Sequence, residues 1–250
     1  MTLLVSWVGI DPHGVKSVYI ASDSRTSWGA LAKFDLGRKV FAFSNWPDIL
    51  GYSGDVLFPS IALNQIVELG DSGLLFEQTF SCKQKFQAIV DKLNQLFRNY
   101  PQAHSGLAEN SLNIIHGSRD TRDNSKFFCH TISWSVQRGW QGKQVNFPDT
   151  SGVLFVLGSG AVEFQKAYQK YSTGPTSGTS RAAFHCFCNT LKHVTDPYVG
   201  GAPQLVGIYR KPHTSSKSFG VIYEGSRYFL GANVDNLHNL NCVEWRNINF

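Results

Sequence analysis

The sequence predicts an α+β fold: two antiparallel sheets flanked by helix pairs, stacked as a four-layer α-β-β-α sandwich. Three observations carry this expectation. Hydrophobic periodicity changes in blocks along the chain, from strands to two helices, back to strands, to two more helices, and to strands again. Two helices in succession do not fit a doubly wound sheet, in which single strands and single helices alternate. No linker, repeat or low-complexity stretch divides the 250 residues. Residues 1–250 therefore read as one domain, with 233–250 a C-terminal extension that the pattern does not place.

The elements follow in order. Residues 3–10 and 15–22 are β-branched and aromatic runs separated by Asp11-Pro12-His13-Gly14, which is turn chemistry, so they form a hairpin. Short strands are expected at Lys39–Phe43 and Asp48–Tyr52. From Gly54-Asp55 to about Gly70, Val56, Ile61, Ile66 and Val67 recur at roughly helical spacing, and the Asp55 carboxylate suits a helix N-terminus. A second helix from about Lys83 to Tyr100 carries Phe86, Ile89, Val90, Leu93 and Phe97 on one stripe. Strands are expected at 111–116, 127–136, 140–147 and 153–157, helices at 160–171 and 181–194, and closing strands at 204–209 and 220–230.

Composition excludes several classes of function. The net charge of +5 comes from Lys and Arg spread along the chain without any basic run, so no nucleic-acid partner is expected. No uncharged apolar window reaches the roughly 18 residues needed to cross a membrane as a helix, and the apolar start lacks a basic region before it. The expected location is cytoplasmic. Five cysteines are an odd number in a chain too large to need a disulfide framework, and they read as reduced thiols. His185, Cys186, Cys188 and His193 cluster in sequence, but no second pair lies at zinc-site spacing. Small apolar cysteines on a helix are the better reading, and neither metal nor cofactor is expected.

The candidate chemistry begins at Thr2. Its small side chain makes Met1 a good target for removal, and a chain that starts with threonine carries a nucleophile and a base in one residue. The free α-amine, with an ordinary pKa of about 8, accepts a proton near neutrality. Met-Thr alone is a common start. Asp23-Ser24-Arg25 at the end of the second strand, and Lys39 sixteen residues beyond Asp23, add to it.

With these residues the chain resembles the proteasome β-subunit and HslV family, which includes the Anbu-type bacterial homologues. Members begin with Thr on a strand, carry Asp-x-Arg at the end of strand two and place a Lys 16 residues beyond that Asp, as here. Three further segments match in order. Leu50-Gly51-Tyr52-Ser53-Gly54-Asp55 is similar to the family's small-Gly-x-x-Gly-Asp, Leu157-Gly158-Ser159-Gly160 to its Gly-Ser-Gly turn, and Asp196-Pro197-Tyr198-Val199-Gly200-Gly201 to its Asp-x-x-Ser-Gly-Gly. The likeness covers about residues 2 to 211. It departs from the family at Val199, where a serine is usual, and Thr195 or Ser159 would have to supply that hydroxyl.

The resemblance implies a threonine endopeptidase of the N-terminal-nucleophile hydrolase fold. Thr2 Oγ attacks, the Thr2 amine is the base, and Lys39 lowers the hydroxyl pKa by its charge while Asp23 holds it. The Gly51 N–H stabilises the oxyanion, Ser159 and Asp196 bond the amine end, and Ile49 lines the first specificity pocket. It also implies a homo-oligomer enclosing its sites, a peptide or unfolded-protein substrate, and an ATPase unfoldase or other gating partner. A catalytically inactive subunit of the same fold, or an amidohydrolase for small amides, are the alternatives.

Overall fold

The computed structural model describes every residue except 1, 30, 102–111, 212–214 and 249. Met1, and Ser111 as the expected first residue of a strand, lie outside the described residues. The chain opens with β1 (Leu4–Asp11) and β2 (Gly14–Ser22), which pair from Leu4↔Ser22 to Asp11↔Gly14. Their turn works as its residues suggest: the Asp11 carboxylate accepts the His13 N–H at 2.9 Å, and Gly14 takes φ 97°. Next come β3 (Thr26–Trp28), β4 (Ala32–Phe34), β5 (Val40–Ala42), β6 (Asp48–Gly54), α1 (Leu57–Asp71) and α2 (Cys82–Arg98). Then follow β7 (Leu112–Arg119), β8 (Phe127–Ser135), β9 (Gly139–Val145), β10 (Gly152–Leu157), α3 (Ala161–Thr173) and α4 (Ser180–His193). The chain closes with β11 (Gln204–Tyr209), β12 (Lys217–Tyr223), β13 (Ser226–Phe229), β14 (Ala232–Asn233) and β15 (Trp245–Arg246).

Two larger antiparallel sheets result. One runs β10-β1-β2-β11-β12-β13-β14, with β15 added parallel to β12; the other runs β5-β6-β7-β8-β9. Three apolar clusters organise the packing. Leu4, Val8, Val18 and Ile20 of the first sheet meet Val40, Ile49 and Ile115 of the second. Phe41, Leu50, Tyr52, Ile114 and Ile132, on the other face of the second sheet, pack with Leu63 and Ile66 of α1 and Ile89 and Leu93 of α2. Val5, Trp7, Tyr19 and Leu205 pack with Phe164 of α3 and Phe184 and Phe187 of α4. Strand alternation accounts for the split: successive side chains of β1, β2 and β6 go to opposite clusters.

Both helix starts follow from their residues. The Asp55 carboxylate accepts the Phe58 N–H at 3.1 Å, and Ser81 with Gln84 forms a reciprocal capping box at α2. The expected α1 stripe needs one correction. Ile61 is exposed, and the buried face is Phe58, Ala62, Leu63, Ile66, Val67 and Gly70, because the helix presents the neighbouring row to the sheet.

Three other features differ from the sequence reading. The expected strand 220–230 is two strands, broken at Glu224-Gly225, which take φ 49° and 86° and turn the chain back. The short β3–β4 hairpin carries no alternating apolar signal, since its side chains are largely exposed. The C-terminal segment is packed against the first sheet. A Cβ at Gly220 would sit 2.4 Å from the Trp245 ring, and the Phe250 ring lies 5.2 Å from that of Tyr19 and 5.6 Å from that of Phe184.

Candidate active site

Thr2 leads into β1, Asp23 follows the end of β2, and Lys39 precedes β5 of the other sheet, so the group assembles where the two sheets meet at one end. Lys39 Nζ donates to Thr2 Oγ1 and to Asp23 Oδ1, each at 2.9 Å. Thr2, Asp23 and Lys39 are 1%, 0% and 0% exposed. Burial holds the Lys39 pKa below the ordinary lysine range, and the adjacent Asp23 carboxylate opposes that shift without cancelling it. Thr2 takes φ 128°, a conformation in which a β-branched residue is strained.

Asp23 is held from several directions. Its Oδ1 also accepts the Leu3 N–H at 3.1 Å, and its Oδ2 accepts the Gly200 N–H at 3.1 Å and the Arg25 N–H at 3.3 Å. Gln204, on β11, ties this end together in a way that sequence reading missed. Its Oε1 accepts the Lys39 N–H at 3.0 Å, while its Nε2 donates to the Asp23 carbonyl at 3.0 Å and the Gly37 carbonyl at 2.8 Å. Arg25 and Asp35 form a second unanticipated support, a two-point ion pair at 2.7 and 2.8 Å. The remaining Arg25 nitrogen reaches the Pro197 and Val199 carbonyls, both at 3.1 Å, and so fixes the 196–201 turn.

The Gly158-Ser159-Gly160 turn lies against the backbone of Thr2. A Cβ on Gly158, which takes φ 92°, would stand 2.0 Å from the Thr2 carbonyl oxygen, so only glycine fits there. Gly160 donates its N–H to that same carbonyl at 3.3 Å. Ser159 itself is exposed.

Other expected site residues stand elsewhere. The Asp196 Oδ1 accepts the Tyr198 N–H at 2.9 Å within its own turn. Thr195 Oγ1 donates to Glu163 at 2.7 Å, and Val199 is buried in the cluster that contains Leu3. Ile49 is 0% exposed and packs near Val18 between the sheets, which excludes it from an open substrate pocket.

Gly51 also needs correction as an oxyanion donor. It sits mid-strand, paired with Val40 on one side and Ile115 on the other. The Tyr52 N–H goes to Lys39 O and the Phe43 N–H to Asp48 O, so even-numbered β6 residues bond β5 and odd-numbered ones bond β7. The Gly51 N–H is thereby directed to β7. Gly54, with φ 103°, is the last residue of β6. Gly37, opposite Gly54 by register, gives its N–H to Ser24 O and its carbonyl to Gln204.

The cysteine and histidine cluster resolves as expected of a helix. Cys186 and Cys188 are buried on the inward face of α4, and His193 bonds the Asn189 carbonyl at 2.9 Å.

No protein-family model matches the sequence, and no curated protein does. Solved structures do match in fold. A Gly-1 mutant of Anbu from Hyphomicrobium sp. strain MC1 aligns over 93% of this chain and 89% of its own, with TM-score 0.57 and 13% identity. Anbu, an ancestral beta-subunit, from Yersinia bercovieri aligns over 87% and 86%, with TM-score 0.57 and 14% identity. BPH from Thiobacillus denitrificans, in complex with epoxomicin, aligns over 84% and 100%, with TM-score 0.51 and 15% identity. At these identities the likeness is one of fold, and the fold is that of the proteasome-type N-terminal-nucleophile hydrolases.

Proposed function

We propose that this chain, which shares the fold of the proteasome-type N-terminal-nucleophile hydrolases, is a threonine peptidase whose nucleophile is Thr2 after removal of Met1. One observation carries the reading: the buried Asp23–Lys39–Thr2 chain, with Lys39 Nζ at 2.9 Å from both oxygens. Surface ion pairs contribute little and need no burial. A fully buried lysine that reaches a hydroxyl as well as its carboxylate makes sense as chemistry.

Lys39, held by Asp23, donates to the Thr2 hydroxyl and lowers its pKa by its positive charge, and the free amine of Thr2 takes the hydroxyl proton. Thr2 Oγ attacks the amide carbonyl, and the oxyanion that forms calls for a backbone N–H donor beside Thr2. The Thr2 amine, protonated in that step, gives its proton to the leaving amine, and water, activated by the same amine, then hydrolyses the acyl ester. The strained φ of Thr2 supports processing, because an N-terminal residue has no φ: removing Met1 relieves a cost of about 1–3 kcal/mol.

The remaining parts of the reading follow from the fold. The three apolar clusters suit a four-layer α-β-β-α sandwich, with α1 and α2 outside one sheet and α3 and α4 outside the other. The chain assembles with copies of itself around an enclosed space in the cytoplasm, admits peptide or unfolded protein, and takes an ATPase unfoldase or comparable gating partner. Thr2 is nearly inaccessible, which suits selection of extended chains over folded proteins.

Intact mass and N-terminal sequencing, followed by epoxomicin labelling of wild type and Thr2→Ala, test the proposal. The expected result is a chain beginning at Thr2 and an adduct that Thr2→Ala abolishes. Retained Met1, or labelling indifferent to Thr2→Ala, sinks it. A second reading, an inactive subunit of the same fold, draws on Val199 and on Asp196 bonding its own turn, which leave the amine without those two partners. The same labelling separates the two readings.

A further inference from the structure

The inter-sheet layer holds two polar side chains that the mechanism does not use. Ser22 and Ser53 are 0% and 1% exposed, and neither hydroxyl has a hydrogen-bond partner among the described protein atoms. A buried hydroxyl left unpaired is costly, so native structures pair such groups with protein or water.

Their positions in the strand registers bring them together. A Cβ on Gly117 would contact both Ile49 and Val18, at 2.9 and 3.4 Å. One on Gly51 would meet Ile20 at 2.7 Å and Leu4 at 3.0 Å. Position 49 of β6 thus faces position 18 of β2, and 51 faces 20. The next inward-facing pair is Ser53 and Ser22. Both strands advance in that direction toward the site: Asp23 follows Ser22, and Tyr52, beside Ser53, donates its N–H to Lys39 O. Within its own sheet Ser22 pairs with Leu4, two residues from Thr2, and with Gln204, whose amide bonds Lys39 and Asp23.

We propose that Ser22 and Ser53 hold one ordered water between the sheets, directly behind the Thr2–Lys39–Asp23 group, and that through it they are positioning residues for Lys39. The catalytic half rests on the threonine-peptidase reading, and the water site does not. Two hydroxyls on facing sheets supply the polar partners that such a water needs, and its dipole favours the charged form of a lysine otherwise deprived of solvent. The charged groups that act on Lys39, namely Asp23, Arg25 and Asp35, are all left in place by changes at the two serines.

The test uses the full chain as wild type, Ser22→Ala, Ser53→Ala and the double variant. A high-resolution crystal structure of wild type should show water density within about 3 Å of both hydroxyls. Hydroxyls bonded to each other, or a dry gap, would overturn the proposal. The rate of covalent modification of Thr2 by epoxomicin is then measured across pH. Each single variant should react about five-fold more slowly, the loss expected of one hydrogen bond, and its pH midpoint should fall by about half a unit. The double variant should match the singles, because all lose the same water. Multiplying losses, or an unmoved midpoint, refute the positioning role. If wild type never forms the adduct, the peptidase reading and the positioning role fall together, and crystallography still decides the water.

Discussion

A methyl group added at Gly158 would sit 2.0 Å from the Thr2 carbonyl oxygen and 2.7 Å from its carbonyl carbon, on a backbone at φ 92°. Gly158→Ala therefore imposes two separable costs. The left-handed conformation costs about 1–2 kcal/mol for any side chain, and overpacking adds about 1–3 kcal/mol. Because the obstacle is backbone, no rotamer change relieves it. The Thr2 carbonyl has to retreat by about 1 Å, a displacement that elsewhere costs on the order of 100-fold in rate. It also loses the 3.3 Å bond from the Gly160 N–H. Gly14→Ala is the control, since Gly14 has φ 97° and nothing within 4 Å, so it carries the conformational cost alone. In a chain of this length each kcal/mol lowers Tm by about 2–4 °C. Thermal melts should show Gly158→Ala down by roughly 6–15 °C and Gly14→Ala by only about 3–6 °C. Modification by epoxomicin should slow on the order of 100-fold in the first variant and stay normal in the second. Equal melting losses together with a wild-type rate of modification in Gly158→Ala would refute the idea that this turn sets the place of Thr2.

Three further outcomes are expected. Gln204→Leu removes partners from Lys39 N–H and from the Asp23 and Gly37 carbonyls, and should cost about 3 kcal/mol in urea melts and slow Thr2 modification by epoxomicin at least ten-fold, whereas a change to the exposed Gln141 should do neither. His130 is 5% exposed and stacked on Phe86 at 4.1 Å, and burial pushes its pKa down to about 4. The folded chain then binds the proton less readily than the unfolded one, so stability present above about pH 6.5 is lost as pH falls toward about 4, by at most about 3 kcal/mol; urea melts at pH 7 and pH 4 should narrow that loss in His130→Leu, and an unchanged loss would dismiss this cause. Phe250→Ala removes a ring lying against Trp7, Tyr19 and Phe184, and should lower stability by about 1–3 kcal/mol; an unchanged Tm would mean that the C-terminal segment does not brace the sheet.

Much of the fold is legible because its signals are local. The β1–β2 turn, the α2 capping box and the apolar stripe of α2 are each written within a few residues, and the structure follows them closely. The break at Glu224-Gly225 was obscured by an apolar run on both sides. Ile61 was misplaced because roughly helical spacing names a stripe without saying which neighbouring row meets the sheet.

At the candidate site the division is sharper. Thr2, Asp23 and Lys39 were readable from order and spacing, since each stands at a strand boundary that local pattern marks. The roles drawn for Gly51 and Ile49 failed on strand parity. Membership of β6 was plain, but only the hydrogen bonds to β5 fix which residues face β7 and which face the inter-sheet core. The bond from the Tyr198 N–H to Asp196 is not legible in sequence, because a carboxylate that bonds its own turn looks the same there as one that reaches across a site. Gln204 was invisible, being 165 residues from the Lys39 N–H it holds. The sequence by itself determined most of the elements, through periodicity and turn chemistry acting over a few residues, and pointed to Thr2, Asp23 and Lys39 through their order and spacing. Only the tertiary structure decided what holds that trio, because hydrogen bonds are directional, short-ranged and indifferent to separation along the chain.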